Sequence, residues 1–466
     1  MGANDGMLHA FNAETGREMF AYVPNVAFPM LSRLTSPDYG HRYYVDGSPR
    51  SNDAYLNGAW KTVLLGALGA GGPGVYALDV TSPSSFGAGN VLWEFTHPDV
   101  GYVLGQPTVA RLASGRWVAL IGNGYNSAGA NADPHVAKLV IVDLATGAHV
   151  KTLSTKVGSA ASPNGLAAPV PVDVNGDRIT DYVYAGDMQG NLWKFDLRAG
   201  NENWGFGFGN NNNPRPLFRA VDAAGNPQPI TSRPNVGKHP DGGVMVLFGT
   251  GKYFETSDNV VVADPKIQTF YGVRDNNSEV SRTDLVEQTI IYEASATEAG
   301  TSFAVRAVSA NEVDYAAKDG WYLDLVSPNS GTEGERVVDA PILRFGRVIF
   351  TTIIPSNQVC DYGGRSWLME LDMINGARLS YNVFDTNGDG IIDNADFIII
   401  DGVPVPVSGK GSDELISSPG IISAGGGEGT GLEYKYTSGS SGNIEVTTEH
   451  GGGEFFGRQS WRQDPP

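Results

Sequence analysis

A short repeated sequence pattern constrains the fold of this chain more than any other feature. Each copy alternates apolar or aromatic residues along a short run and ends on Asp or Asn. The copies recur at intervals of about 60 residues, which predicts a repeated unit of β-strands. Seven copies are present: Leu8–Asn12, Val75–Asp79, Val140–Asp143, Leu192–Asp196, Tyr271–Asp275, Trp321–Asp324 and Leu368–Asp372.

A tight turn follows four of the copies and shows how the strands connect. The four turns are Asn12–Gly16, Asp143–Gly147, Asp196–Gly200 and Asp372–Gly376. An Asp or Asn side chain accepts backbone N–H bonds at the start of a type I turn, and a Gly at its end adopts positive φ. A second apolar strand precedes most copies, so each unit has the strand order of a β-propeller blade.

We therefore predict an all-β fold, a modified seven-bladed β-propeller that occupies residues 1–466 as a single domain. The 61 Gly and 27 Pro residues suit many short strands joined by turns. Two long insertions between blades are expected at residues 201–240 and 276–319. Two separate β-sandwiches are the alternative arrangement.

The two ends of the chain suggest how a propeller ring would close. The first copy of the motif has no strand before it, so we expect the N-terminus to begin in the middle of a blade. The Gly-rich segment 420–466 contains two candidate strands, Leu432–Tyr436 and Ile444–Thr448, that would complete this blade. No signal peptide pattern is present at the start, and we expect an export signal upstream of this fragment.

Composition excludes several classes of function. The chain carries 51 acidic and 32 basic residues, a formal net charge of −19. Such a balance repels phosphate backbones, so no nucleic-acid partner is expected. The single cysteine, Cys360, excludes an internal disulfide and a multi-cysteine metal site. No apolar run reaches the roughly 18 residues of a transmembrane segment.

The first of two acidic loops has the spacing of a calcium site. Asp173, Asn175, Asp177 and Asp181 place side-chain oxygens at positions 1, 3, 5 and 9, and Ile179 at position 7 can contribute its backbone carbonyl. Calcium takes six to eight oxygen ligands, which alternate residues of a tight loop can supply. Magnesium fits less well because it retains its waters and demands octahedral geometry. An ordinary Asx-rich turn is the alternative.

A second acidic loop repeats this spacing and extends it to position 12. Gly390 occupies position 6, so the loop resembles an EF-hand loop in which Asp replaces the last Glu. The predicted ligands are Asp385, Asn387, Asp389, Ile391, Asp393 and Asp396. Together the two loops predict one or two bound calcium ions, and spacing leaves open whether the ion is structural or a switch.

No catalytic constellation accompanies these loops. The seven histidines lack the spacing of metal ligands such as H-E-x-x-H. The Gly-rich stretch Gly66–Gly74 lacks the Lys-Ser/Thr of a phosphate loop, and no G-x-S-x-G motif is present. We therefore expect a protein that is not an enzyme.

Several stretches spread over the chain resemble a known family. They are Tyr44–Pro49, Trp60–Gly66, Val75–Val80, Gly186–Asp196, Asp339–Leu343, Phe350–Pro355 and Gly363–Asp372. Together they resemble the C-terminal domain of the PilC/PilY family, which comprises pilus-tip adhesins and biogenesis factors of type IV pili. The resemblance implies a modified seven-bladed propeller, export to the periplasm, outer membrane or cell surface, and a role in pilus extension, retraction and attachment.

The resemblance also bears on the loops and on the partners. The loop Asp173–Asp181 matches the calcium motif of the family, where calcium is linked to holding pili extended. The second loop fits a calcium site of only some members. The implied partners are major or minor pilins, and host-surface receptors are further candidates. No Arg-Gly-Asp tripeptide is present to support integrin binding.

Two function classes follow from these observations. The favoured hypothesis is a non-enzymatic, calcium-binding module that regulates pilus extension and retraction and mediates surface adhesion. The alternative is a quinone-cofactor-dependent dehydrogenase, since the D-x-x-T-G motif also marks that class of propeller. Such enzymes often use a vicinal cysteine pair, which a chain with one cysteine does not possess.

Overall fold

Regular structure in this chain is almost entirely β-sheet. The structure is a computed structural model that describes residues 1–130, 133–358, 360–423 and 431–451. Two helices of four residues occur, α1 (Phe28–Leu31) and α2 (Ala296–Ala299). In the described part of the chain, no helix has the length and apolar character needed to cross a membrane. Short 3-10 turns lie at Ser32–Thr35, Gly69–Gly71, Pro83–Ser85, Ala88–Asn90, Thr256–Asn259, Arg282–Asp284 and Asn394–Asp396.

The strands are short and follow one another closely along the chain. In the first half they are β1 (Leu8–Phe11), β2 (Glu18–Tyr22), β3 (Arg50–Leu56), β4 (Ala59–Ala67), β5 (Val75–Asp79), β6 (Val91–Phe95), β7 (Thr108–Arg111), β8 (Trp117–Gly122), β9 (Lys138–Asp143), β10 (His149–Ser154), β11 (Val170–Val172), β12 (Tyr182–Gly186), β13 (Asn191–Asp196), β14 (Gly205–Phe206), β15 (Phe208–Asn210), β16 (Asn213–Arg215) and β17 (Phe218–Arg219). In the second half they are β18 (Asn235–Lys238), β19 (Val244–Gly249), β20 (Thr269–Asp275), β21 (Val286–Gln288), β22 (Ile290–Ala294), β23 (Val305–Val308), β24 (Gly320–Asp324), β25 (Ile342–Arg344), β26 (Arg347–Pro355), β27 (Gly364–Asp372), β28 (Ile398–Ile400), β29 (Val403–Val405), β30 (Gly409–Ser412), β31 (Gly420–Ser423), β32 (Leu432–Ser438) and β33 (Ile444–His450).

These strands form a series of largely antiparallel sheets, each built mainly from consecutive strands. The larger sheets have the orders β3-β4-β5-β6, β10-β9-β8-β7, β11-β12-β13-β14 with β17 beside β13, β18-β19-β20-β24-β21, and β22-β23-β30-β27-β26-β25. Smaller sheets are β1-β2 and β31-β32-β33, and two ribbons are formed by β15-β16 and β28-β29. Strands β21 and β24 pair in parallel.

Adjacent sheets pack face to face and share buried side chains. On β8, Ala119 and Ile121 belong to the cluster shared with sheet β3–β6, whereas Val118 and Leu120 belong to the cluster shared with sheet β11–β14. Alternate residues of a strand point to opposite faces, so a strand covered on both faces must be apolar at every position. This explains the continuous apolar runs in strands that lie in the middle of a sheet, such as β8.

The predicted turn after the repeated motif is confirmed where its local geometry is complete. Asp143 Oδ1 accepts backbone N–H bonds from Ala145 (3.1 Å) and Thr146 (3.0 Å), and Gly147 has φ of 73°. The turns that begin at Asn12 and Asp372 have the same bonds and a final Gly with positive φ. The turn after Asp196 differs, because the Gly four residues later does not adopt positive φ.

One copy of the motif does not begin a sheet of its own. Trp321–Asp324 forms β24, which pairs antiparallel with β20, the strand of the preceding copy Tyr271–Asp275. Two of the seven copies therefore lie in one sheet, and the sheets do not establish the predicted number of seven blades. No closed sheet is formed among the described residues.

Much of the two predicted insertions is folded into sheets. Residues 201–240 contain β14 to β18, and residues 276–319 contain β21, β22 and β23. In the C-terminal segment, β32 and β33 pair with each other and with β31, and within the described chain neither pairs with β1 or β2. Closure of the ring by this segment stays a prediction, and residues 424–430 and 452–466 lie outside the described residues.

A proline directly precedes one edge strand in each of six sheets, a repeat that was not predicted from the sequence. Strands β3, β7, β11, β18, β25 and β31 lie at sheet edges, and each follows directly on a proline. Proline has no N–H to donate, so the edge of a sheet is where it is tolerated. The six prolines are Pro49, Pro107, Pro169, Pro234, Pro341 and Pro419.

Candidate metal-binding loops

The first acidic loop is the hairpin connection between β11 and β12. The backbone N–H of Asp181 donates to Val172 O (2.9 Å) and closes the hairpin. Asp173 is half-buried, whereas Asn175 and Asp177 are exposed. The loop also contacts the neighbouring sheet, because Thr180 N donates to the backbone oxygen at the end of β7 (2.8 Å).

Backbone N–H groups hold the oxygens of the first loop in place. Asp173 accepts from Gly176 N through Oδ1 (2.7 Å) and from Arg178 N through Oδ2 (2.6 Å). Asn175 Oδ1 accepts from Asp177 N (2.8 Å). This chain of side-chain-to-backbone bonds wraps the loop around the first Asp and turns successive polar side chains to one side.

The second loop repeats these bonds position by position. Asp385 accepts from Gly388 N through Oδ1 (2.7 Å) and from Gly390 N through Oδ2 (2.8 Å). Asn387 Oδ1 accepts from Asp389 N (2.8 Å). Two loops that are separate in sequence therefore adopt the same backbone path over their first six positions.

Position 6 reveals a strained residue in the first loop. Gly390 has φ of 82°, and its counterpart Arg178 has φ of 66°. Positive φ is unfavourable for a residue with a side chain and persists where the surroundings impose it. The bond from Arg178 N to Asp173 imposes it here, so the path around the first Asp takes precedence over local backbone preference.

The last carboxylate of each loop accepts a hydrogen bond from the backbone N–H of position 2, so equal spacing does not identify equivalent residues in the two loops. Asp181 Oδ2 accepts from Val174 N (2.9 Å), and Asp396 Oδ1 accepts from Thr386 N (2.7 Å). Asp181 is 7% exposed and Asp396 is fully buried, whereas Asp393 is exposed. Asp181, at position 9, is thus the structural counterpart of Asp396, at position 12, and Asp393 is an additional oxygen at the rim.

The position-7 residues and Asp393 are the predicted ligands still to be described. Ile179 N and Ile391 N donate to the position-5 carboxylates, both at 2.8 Å. The side chain of Ile391 is 60% exposed. Asp393 Oδ1 accepts from Ala395 N (2.7 Å), and the 3-10 turn that follows Asp393 ends at Asp396. The second loop is anchored to an insertion, since Ser302 N donates to Thr386 O (2.6 Å).

The carboxyl group of Asp173 is electrostatically prepared to stay ionised. Burial alone would raise its pKa, but the backbone N–H groups of Arg178, Gly176 and Asn175 outweigh this effect and lower the pKa below its ordinary value. Hydrogen bonds to the charged form of an acid always act in this direction. A carboxylate that stays ionised at neutral and mildly acidic pH is what a cation ligand requires.

The donor chemistry of both loops fits calcium, and ligation itself stays a prediction. Among the described residues, no group of three or more His, Cys, Asp or Glu side chains is arranged to hold a metal ion. The predicted ligand sets rely on Asn oxygens and a backbone carbonyl in addition to Asp, and several Asp oxygens are turned towards backbone N–H groups. All candidate donors are oxygens, the type that calcium prefers.

Other buried polar residues were not singled out from the sequence. Asp187 is fully buried and accepts from Trp193 Nε1 (2.8 Å), Asn164 Nδ2 (2.9 Å) and Asn191 Nδ2 (2.9 Å). Burial raises its pKa, and these donors act against that effect. The proline that precedes one edge strand in each of six sheets is the sequence repeat that could have pointed to this end of the sheets.

Comparisons with known proteins identify the family. The family described as PilY1 beta-propeller domain matches residues 1–304. The type IV pilus biogenesis factor PilY1 of Pseudomonas aeruginosa strain PAO1 is 39% identical over 507 aligned positions, which cover 99% of this chain and 41% of the relative. A PilY1 homolog of Xylella fastidiosa strain Temecula1 is 42% identical over 392 positions, covering 81% of this chain and 26% of the relative.

A solved structure supports the same assignment at the level of the fold. The crystal structure of the Pseudomonas aeruginosa PilY1 C-terminal domain matches with a TM-score of 0.79 and 35% identity, covering 97% of this chain and 92% of that one. The chain spans about two fifths or less of the length of the two relatives named above. The all-β propeller fold and the resemblance to the PilC/PilY family are confirmed. The chain therefore belongs to the PilY1 β-propeller family of type IV pilus biogenesis factors.

Proposed function

We propose that this chain is a calcium-binding propeller module of a type IV pilus biogenesis factor, which regulates pilus extension and retraction and mediates adhesion to surfaces. The observation that carries the calcium part is the shared backbone path of the two acidic loops, each wound around a half-buried Asp. The pilus part is supported by the names of the relatives. The module works without catalysis, and its partners are pilins or host-surface receptors.

The location and the blade number belong to the same proposal. A pilus factor acts after export, in the periplasm, at the outer membrane or at the cell surface. Seven blades are supported by six sheets that each contain a proline-preceded edge strand, together with sheet β1-β2. In this arrangement β1 and β2 correspond to the third and fourth strands of a blade.

Calcium in the first loop would act on the contact between two sheets. The loop is bonded to the end of β7 through Thr180 N, so an ion that rigidifies the loop also stabilises this junction. Asp173, Asn175, Asp177, the Ile179 carbonyl and Asp181 would hold the ion, which supplies charge neutralisation and order to an otherwise exposed connection. A surface whose order depends on calcium can present a partner-binding site reversibly.

We expect calorimetric titration of the chelated protein with calcium to show two binding events. Asp173→Ala should abolish one event and Asp385→Ala the other, because each removes the carboxylate around which its loop is wound. Asp393→Ala should weaken the second event without abolishing it, since Asp393 lies at the rim. Binding that is unchanged in both Ala variants would show that calcium binds elsewhere, and absence of binding at millimolar calcium would refute the calcium proposal.

Surface pili should decrease when Asp181→Asn is introduced into the full-length protein of the native host. The substitution removes the charge of the carboxylate that closes the first loop and changes its volume little. The measurement is the amount of surface pilin in sheared fractions, with Asp38→Ala, an exposed Asp outside both loops, as the control. Normal piliation in a variant that has lost the first calcium event would separate calcium binding from pilus regulation and contradict this part of the proposal.

A further inference from the structure

A cavity lies beside the edge strands of several sheets, and no residue of either acidic loop lines it. Its volume is about 330 Å³, within the range of small-molecule sites. Most of the segments that line it immediately precede an edge strand, in five different sheets. In each of these segments, the residue just before the proline lines the cavity: Ser48, Gln106, Ala168, Arg233 and Ala340. The cavity therefore occupies the place where the five sheets converge.

Two arginines lie close together here, Arg233 in the wall of the cavity and Arg50 next to Arg233. Arg233 lines the cavity, and Arg50 lies two residues after the lining residue Ser48. Neither side chain forms an ion pair with a described residue, and Arg50 Nη1 is buried without a hydrogen-bond partner. Burial lowers the pKa of Arg233, and the positive charge of Arg50 lowers it further. Two neighbouring guanidinium groups without a counter-charge are a favourable environment for an anion.

Two buried hydroxyl groups in the same cavity also have no hydrogen-bond partner. Tyr125 is 7% exposed and Ser232 is 6% exposed, and both line the cavity. The Tyr125 hydroxyl and Ser232 Oγ are both buried, and neither is paired within the described part of the chain. Buried polar groups in native proteins are nearly always hydrogen-bonded, to protein or to ordered water, so these two hydroxyls are available to donate to a bound ligand.

Among the described residues that line the cavity, Asp339 is the one acid, and it forms no ion pair with either arginine. Asp339 accepts a hydrogen bond from Ser418 N (3.0 Å) and forms no ion pair with any described residue. Burial raises the pKa of Asp339, with the Ser418 N–H acting in the opposite direction. Among the described residues, neither arginine therefore has a directly bonded counter-ion, and a ligand can supply one.

Another part of the wall is apolar and aromatic. The rings of Tyr125 and Phe254 stack with centroids 4.6 Å apart, and Leu104 and Val338 also line the cavity. A ligand that fills the space thus needs an anionic end and an apolar or planar body.

We infer that this cavity binds a small organic anion, whose carboxylate or phosphate oxygens accept hydrogen bonds from Arg233, Arg50 and the two hydroxyl groups, and whose apolar part lies against Tyr125 and Phe254. The proposal does not depend on the acidic loops, because none of their residues lines the cavity. Its failure would leave the proposed function unaffected.

The ligand class is tested with simple probes at constant ionic strength and saturating calcium. Benzoate and phenyl phosphate should bind in calorimetry and raise the melting temperature, whereas neutral benzamide, which has the shape of benzoate, should do neither. The tighter of the two anions identifies the preferred oxyanion. Inorganic phosphate should bind more weakly than phenyl phosphate, because it makes no contact with the aromatic wall.

Substitutions test whether binding occurs in this cavity. Arg233→Gln should weaken the better probe by about tenfold or more, the usual worth of a charged hydrogen bond. Without probe, the same variant should melt at a higher temperature than the native chain, because it removes a partly buried charge that lacks a partner. Tyr125→Phe should weaken binding by a smaller factor. Arg17→Gln, at an exposed arginine, makes the same change in net charge and should leave binding unchanged.

Three results would overturn the inference. They are the absence of binding by either organic anion at millimolar concentration, equal affinity in the native and Arg233→Gln proteins, and equal binding of benzamide and benzoate. Inorganic phosphate that binds as tightly as phenyl phosphate would overturn the organic character of the ligand.

Discussion

Arg306→Met is expected to lower the free energy of unfolding by about 3–5 kcal/mol, the typical cost of removing one partner from a buried ion pair. Arg306 on β23 is fully buried and contacts two carboxylates. Its Nη1 and Nη2 donate to the two oxygens of Glu335 (2.7 and 2.8 Å), and its Nε donates to Glu293 (2.8 Å). Methionine fills most of the volume but leaves both acids without a cation among the described residues.

The surroundings of this cluster offer no replacement for the lost charge. Thr352 Oγ1 donates to Glu335 (2.6 Å), and Ser327 Oγ donates to Glu293 (2.6 Å), so each acid retains one neutral donor. The guanidinium carbon also lies 4.2 Å from the ring centroid of Trp367, a favourable cation–π contact that methionine does not reproduce. Both carboxylates must then be protonated or hydrated within the sheet.

The measurement is the shift in the urea midpoint, converted with a common slope for all variants. Arg198→Met is the matched control, because Arg198 pairs with Asp196 at the surface and such pairs contribute about 0–1 kcal/mol. Adding Glu335→Gln to Arg306→Met should recover part of the loss, since it removes one of the two unpaired charges. A single variant as stable as the Arg198 control would refute the assigned role of this ion pair.

The Arg306 cluster illustrates what the sequence could and could not predict. The turn at Asp143 was predictable because its donors lie within three residues of the carboxylate. By contrast, Arg306 lies in a segment predicted as a polar insertion, yet β23 pairs with β30, which in turn pairs with β27. These pairings join strands about 100 and 40 residues apart, and no local pattern indicates such partners.

The acidic loops show the same limit at a smaller scale. The spacing of Asp173 and Asp385 predicted where the oxygens would lie, because positions 1 to 6 of each loop bond among themselves. The correspondence between Asp181 and Asp396 was not predictable from spacing, because the two loops differ in the number of residues between position 2 and the carboxylate that accepts from its backbone N–H. Arg50 and Arg233, which form no ion pair with a described residue, likewise come together only through convergence of the sheets.

Lys435→Met is expected to destabilise the packing of sheet β31–β33 against β25–β27 by about 3–5 kcal/mol, because it leaves a buried carboxylate unpaired. Lys435 on β32 is fully buried and contacts Glu370 on β27 and Glu449 on β33. Burial raises the pKa of Glu370 and lowers that of Lys435, the directions expected when charges leave water.

The other members of this cluster pair among themselves and cannot compensate Glu449. Arg347 donates to Glu370 (2.8 Å), and Arg344 Nε donates to Glu433 (2.5 Å). Glu370 therefore keeps a cation after the substitution. Among the described residues, Glu449 has no cation other than Lys435, so the cost falls on β33 and its neighbours.

Hydrogen exchange distinguishes a local effect from a global one. In Lys435→Met, amide protection should fall in residues 432–438 and 444–450 more than in β8 or β9, which share their buried clusters with sheets β3–β6 and β11–β14. Lys266→Met, at an exposed lysine without an ion pair among the described residues, should change the free energy of unfolding derived from the urea midpoint by no more than about 0.5 kcal/mol. Protection lost equally in all sheets would show that this sheet unfolds with the rest of the chain, whereas unchanged protection would refute a stabilising role for the buried cluster. Selective loss would identify β31–β33 as a unit of the chain that opens independently of the other sheets.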